Sequence, residues 1–139
     1  NSSHFTSSSN SYADIGLSAA ITPSASSSKV LVIVYVQAYF SGGALDSGII
    51  LHVERDKGGG GYSTVGDDYW GQSYLNVTVD SGHDTENRGS IGNTAIYLDD
   101  SNSTDVCTYK VQGSGAEWGG SGVFNHNSRS TITLMEILA

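Results

Sequence analysis

The chain is 139 residues long, the length of one domain, and only 37% of it is hydrophobic, with Gly, Ser, Thr and Asn standing where charge is usual. Charged residues make up 14%, and six Lys and Arg against a net charge of −8 exclude a basic nucleic-acid surface, which needs clustered cations to displace counterions. One cysteine, Cys107, excludes an intrachain disulfide framework, and no apolar run reaches the roughly 18 residues of a membrane-spanning helix.

Residues 1–11 are rich in Ser and Asn and read as an arm or linker ahead of one domain over 12–139. The opening Asn-Ser-Ser-His reads as a processed product or a fragment of a longer chain, with no signal peptide. A short extended segment is predicted over Tyr12–Ile15, then an alternating strand over Leu17–Ile21. Pro23 ends it, because proline has no N–H for a ladder. Lys29–Phe40 is the strongest strand: four Val and an Ile among seven residues favour the pleated surface over a helix. Ile49, Leu51 and Val53 alternate with His52 and Glu54, and the loop Asp56-Lys-Gly-Gly-Gly-Gly61 leads into a return strand over Tyr62–Val65. Tyr74–Val79 alternates again, and Ser81–Ser90 reads as a polar loop. Thr94–Leu98 places Ile96 and Leu98 on one face. Val106–Val111 is a strand, Gly113-Ser-Gly115 a turn, Glu117–Asn125 the strand that pairs back, and Thr131–Leu138 the last strand. Eight to ten short strands with no helical period predict an all-β fold, an antiparallel jelly-roll β-sandwich.

Two strands break simple alternation. Lys29–Phe40 carries Val30, Val32, Val34 and Val36 on one face and Leu31, Ile33 and Tyr35 on the other. In the last strand Ile132, Leu134 and Leu138 share a face, and Met135 and Ile137 take the opposite one. An antiparallel sheet ordinarily leaves one face to water. A chain of this length has little left to build a third layer, so Leu31, Ile33, Tyr35, Met135 and Ile137 are the expected contact of a homo-oligomer, with a uniformly buried central strand as the alternative. Glu136 falls on an apolar face by strict alternation. A buried carboxylate needs partners, so backbone donors or an arginine, Arg55 or Arg129, are expected beside it.

No chemistry assembles from the motifs. His4, His52, His83 and His126 have no metal-ligand spacing and read as surface residues, and Cys107 reads as a small buried hydrophobe. A Gly-x-Ser-x-Gly elbow is absent, and the Gly58–Gly61 run lacks the Lys-Ser/Thr of a phosphate loop. Asp99, Asp100, Asn102 and Asp105 offer oxygen ligands at alternating positions, as calcium prefers, without the Gly and closing Glu of an EF-hand. Asp67-Asp68 and Asp80–Glu86 are similar, and solvated turns have the same composition. No cofactor is expected and no enzyme. The aromatics Tyr62, Tyr69, Trp70 and Trp118 sit beside Gly, Asp or Glu and suit stacking on a sugar ring. Each Trp suits equally a plug at the end of the sandwich or a subunit contact.

The order of several segments is familiar. The Ser-rich lead into Tyr12-Ala-Asp-Ile-Gly-Leu-Ser-Ala-Ala-Ile-Thr-Pro23, the run Ser-Ser-Lys-Val-Leu-Val-Ile-Val34, Val53-Glu-Arg-Asp56, Thr108-Tyr-Lys-Val-Gln112 and the closing Ser130-Thr-Ile-Thr-Leu-Met-Glu-Ile-Leu138 resemble terminal β domains of virion structural proteins, the tail fibres or appendages of marine tailed phages. Such domains are similar in layout to the heads of complement C1q and tumour necrosis factor. The resemblance implies a homotrimer on a virion surface, extracellular, contacting a host cell-surface glycan. The alternatives are a purely structural capsid decoration or fibre-trimerisation domain and, more remotely, a glycan depolymerase. The insert Asp67–Ser90 departs from the resemblance and is expected to hold what specificity the domain has.

Overall fold

The computed structural model describes residues 5–7, 11–42, 46–66, 73–78, 87–115, 121–125 and 129–138. They form β1 (Phe5–Ser7), β2 (Ala13–Ile21), β3 (Lys29–Gly42), β4 (Asp46–Lys57), β5 (Tyr62–Thr64), β6 (Ser73–Thr78), β7 (Asn87–Asp99), β8 (Cys107–Gly115), β9 (Ser121–Phe124) and β10 (Thr131–Ile137). No helix occurs among the described residues. The expected antiparallel β-sandwich is what forms, as two five-stranded sheets.

The long β-branched strand organises the first sheet. β7 pairs with β3 from Val30 to Gly42, and along the opposite edge β10 pairs with Lys29–Tyr35 and β9 with Ala38–Ser41. β1 extends that sheet beyond β9. In the second sheet β4 is central: β8 then β2 lie on one side, β5 and β6 on the other. The inner row of β3, Val30, Val32, Val34, Val36 and Ala38, is fully buried against Leu51, Val53, Tyr109 and Val111. Small branched side chains suit this position because they fill a pleated face without leaving voids.

Several segments take a different place from the one their sequence implies. The Ser-rich arm contributes β1. Tyr12–Ile21 yields one strand, bulged between Asp14 and Leu17, where the Asp14 carboxylate accepts the Gly16 N–H at 2.7 Å. β7 begins at Asn87, inside the expected polar loop. Gly113-Ser-Gly115 does not turn; it continues β8, and β9 does not pair back onto β8 but joins the opposite sheet. The reason lies in packing. The buried Phe124 of β9 reaches across the sandwich to Gly113, where a Cβ would sit 2.6 Å from the ring. Glycine at 113 is the gap the ring occupies. Gly113→Ala is expected to cost about 1–3 kcal/mol through overpacking, read as a lower urea midpoint. An unchanged midpoint would show that the ring moves aside freely.

Candidate functional site

Among the described residues, the outer face of the first sheet carries large apolar side chains that stay exposed. Successive side chains of a strand point to opposite faces, so burying the inner row of β3 turns Leu31, Ile33 and Tyr35 outward. The register then builds three rows across β10, β3 and β7: Met135–Leu31–Leu98, Thr133–Ile33–Ile96 and Thr131–Tyr35–Thr94. Ile96 is 65% exposed and Met135 49%, and Leu98, Ile137 and Tyr35 are also exposed. The three rows carry no charged side chain, and beside them Lys29 meets Asp100 at 2.9 Å. Large apolar side chains on adjoining strands thus form one contiguous patch, the kind of surface that marks an interaction site.

All five residues expected at a subunit contact lie on this face. Ile96 and Leu98 join them and were not part of that expectation. Their alternation was legible, but not which side of β7 faces the core. Ala95 and Asp99 are buried on the inner side and Tyr97 packs there in part. Leu138 does not share the half-buried inner side of Ile132 and Leu134; it is exposed.

The aromatic candidates divide. Tyr62 is 44% exposed, and the Lys110 ammonium lies 4.2 Å from its ring centre. Lys110 also pairs with Glu54 at 2.9 Å, and that hydrogen bond raises the Lys110 pKa above its ordinary value. One side of the Tyr62 ring is therefore engaged within the chain. Tyr69, Trp70 and Trp118 lie outside the described residues, as do His4, His83, His126 and most of the insert.

The acidic segment after β7 does not gather its carboxylates. Asp99 turns into the sandwich, where its Oδ2 accepts from Arg55 and, at 2.7 Å, from the Tyr109 hydroxyl. Asp100 is drawn to Lys29. Asn102 adopts φ 48° and donates from Nδ2 to the Asp100 carbonyl. The Asp105 side chain lies beside Gly58 of the β4–β5 turn, and the Lys57 ammonium donates to the Ser101 carbonyl at 3.3 Å. Among the described residues no three His, Cys, Asp or Glu side chains are placed to hold a metal.

The Arg55–Asp99–Tyr109 cluster ties the sheets together, with Asp99 from β7 on one side and Arg55 of β4 and Tyr109 of β8 on the other. Burial opposes the guanidinium charge, but the Asp99 hydrogen bond and charge outweigh it and hold the Arg55 pKa above its ordinary value. Burial, then the bond to Asp99, pushes the Tyr109 phenol well above its usual range. Above pH about 10 the unfolded phenol ionises while the folded one stays protonated, so the unfolded state binds fewer protons and stability falls as pH rises. Tyr109→Phe is expected to flatten that alkaline decline in thermal unfolding measured between pH 9 and 12. An equal slope in both proteins would exclude Tyr109 as its source.

Cys107 is buried, and burial raises its thiol pKa, in keeping with a small core residue rather than a nucleophile. His52 differs from expectation: it is only 6% exposed, with its ring centre 4.5 Å from that of Tyr12. The strand lead around Tyr12 covers that part of the second sheet's outer face. Glu136 meets donors, though neither arginine: its Oε1 accepts from the Ser24 N–H at 2.6 Å and the Ser24 hydroxyl at 2.7 Å. These bonds, led by the hydroxyl, lower the Glu136 pKa.

No family model, curated protein or solved structure matches the chain.

Proposed function

We propose that the domain is a non-enzymatic surface module of a tailed-phage virion, part of a tail fibre or appendage, that works as a homotrimer and turns its loops toward a host cell-surface glycan. The observation that carries this reading is the apolar outer face of the β10–β3–β7 sheet. A second copy of the chain is the occupant that fits it. The chain carries a net charge of −8, so most approaches between copies bring like charges together. The outward positions of the three rows are uncharged, and two such faces meet without that repulsion. The three-fold arrangement rests on the resemblance to C1q-like heads.

Light scattering of the native particle tests the reading. The expected mass is three times 14.5 kDa, and a single-chain mass at the highest soluble concentration would overturn it.

A second reading, a purely structural decoration or trimerisation module, is favoured by one observation: the Tyr62 ring is already engaged by Lys110. Glycan arrays with the assembled protein separate the two. Retention of a host glycan supports the first reading, and an empty array with an intact trimer supports the second.

A further inference from the structure

Within the self-contact proposed above, on which this inference rests, we infer that Tyr35, laid over Gly92, is a pre-organised anchor and that Gly92 and Gln37 are the residues that position it. Gln37 stands opposite Gly92 and Tyr35 opposite Thr94, which makes Tyr35 and Gly92 diagonal neighbours on the outer face, within reach of an aromatic side chain. A Cβ at position 92 would lie 2.6 Å from the Tyr35 Oη, 2.7 Å from Cε2 and 2.9 Å from Cζ. The outer part of the ring therefore rests on bare backbone, and only glycine leaves it room. Tyr35 Oη donates to Gln37 Oε1 at 2.9 Å, and the Gln37 N–H is tied to the Ser130 hydroxyl at 3.3 Å.

Three physical consequences follow for a partner approaching this face. The phenol has its hydrogen-bond partner inside its own chain, so covering it with apolar surface leaves no orphaned hydroxyl. The hydroxyl end of the ring is held before contact, by the bond to Gln37 and by its seat on Gly92, so docking costs less side-chain entropy than ordering a free tyrosine. Tyrosine also offers a large amphipathic area, which is why it recurs among the residues that dominate interface energies. Leu31, Ile33 and Ile96 beside it supply apolar area but no comparable fixation.

An aromatic ring over a strand glycine also supports the sheet locally, so the test must separate assembly from folding. Sedimentation equilibrium of Gly92→Ala, Tyr35→Ala and Ile96→Asp, with far-UV circular dichroism confirming the folded fraction, does so. Gly92 lies outside the left-handed region, so alanine meets no backbone strain there and acts by displacing the ring. The expected result is that Gly92→Ala and Tyr35→Ala each weaken association by about tenfold or more while the folded fraction is unchanged. Should Gly92→Ala fail to fold, Tyr35→Ala decides, because it removes the ring without adding an atom. Association of folded Tyr35→Ala within about twofold of the wild type, with Ile96→Asp dissociated, would overturn the anchor and leave the self-contact standing. A wild-type chain that is monomeric throughout would overturn both.

Discussion

Replacing Asp99 with alanine is expected to cost about 3–5 kcal/mol of folding stability, the range for removing one partner of a buried ion pair. The side chains of Arg55 and Asp99 are only 12% and 8% exposed, so the arginine left behind cannot recover its lost partner from water. Tyr109 loses its acceptor in the same step. The size of the effect comes from the orphaned charge and not from the worth of the pair. Substituting both members, Arg55→Met with Asp99→Leu, is therefore expected to recover most of the loss, because packed apolar side chains often replace a buried pair at little cost. Tyr109→Phe removes one hydrogen bond and is expected to cost about 1 kcal/mol. Urea unfolding of the set measures this. Equal midpoints for Asp99→Ala and the wild type would mean that solvent reaches the cluster and that it does not hold the sheets together.

Ile96→Asp is expected to abolish self-association while leaving the protomer folded. Ile96 is 65% exposed, so its replacement removes little buried area, and the cost to folding is expected to stay below about 1 kcal/mol. In an assembly closed on this face, each copy would bring a carboxylate into rows of side chains that carry no cation. Like charges and unsatisfied carboxylates together cost several kcal/mol, which corresponds to at least about a 100-fold loss of association. The variant should sediment as a single chain at concentrations where the wild type is assembled, with an unchanged circular dichroism spectrum. A variant that assembles as well as the wild type would remove this face from the interface and, with it, the observation on which the proposed role rests.

Much of this face was legible from the strands alone. The double-faced apolar pattern of Lys29–Phe40 and the opposed pairs of the last strand already implied more apolar surface than one chain covers, and those residues are the ones turned outward. Their partners on β7 were legible only in part. Ile96 and Leu98 alternate as core residues would. What reverses them is Asp99, whose bonds to Arg55 and Tyr109 fix the opposite side of the strand inward. A polar residue buried with a polar partner is invisible to a search for apolar periodicity. The same blind spot made His52 look like a surface residue.

The sequence by itself determined the fold class, the position of the long strand from Lys29 and the surplus of apolar surface, because period-two alternation and β-branched runs are properties of a few neighbouring residues. Only the tertiary structure decided which side of β7 is buried, that β9 leaves β8 for the other sheet, that the arm supplies β1, and that Tyr35 rests on Gly92. Those outcomes depend on what lies opposite each strand. A register shift of one residue exchanges the two faces of a strand, and the shift is chosen by contacts such as Phe124 against Gly113 and Asp99 with Arg55, between residues far apart in the chain.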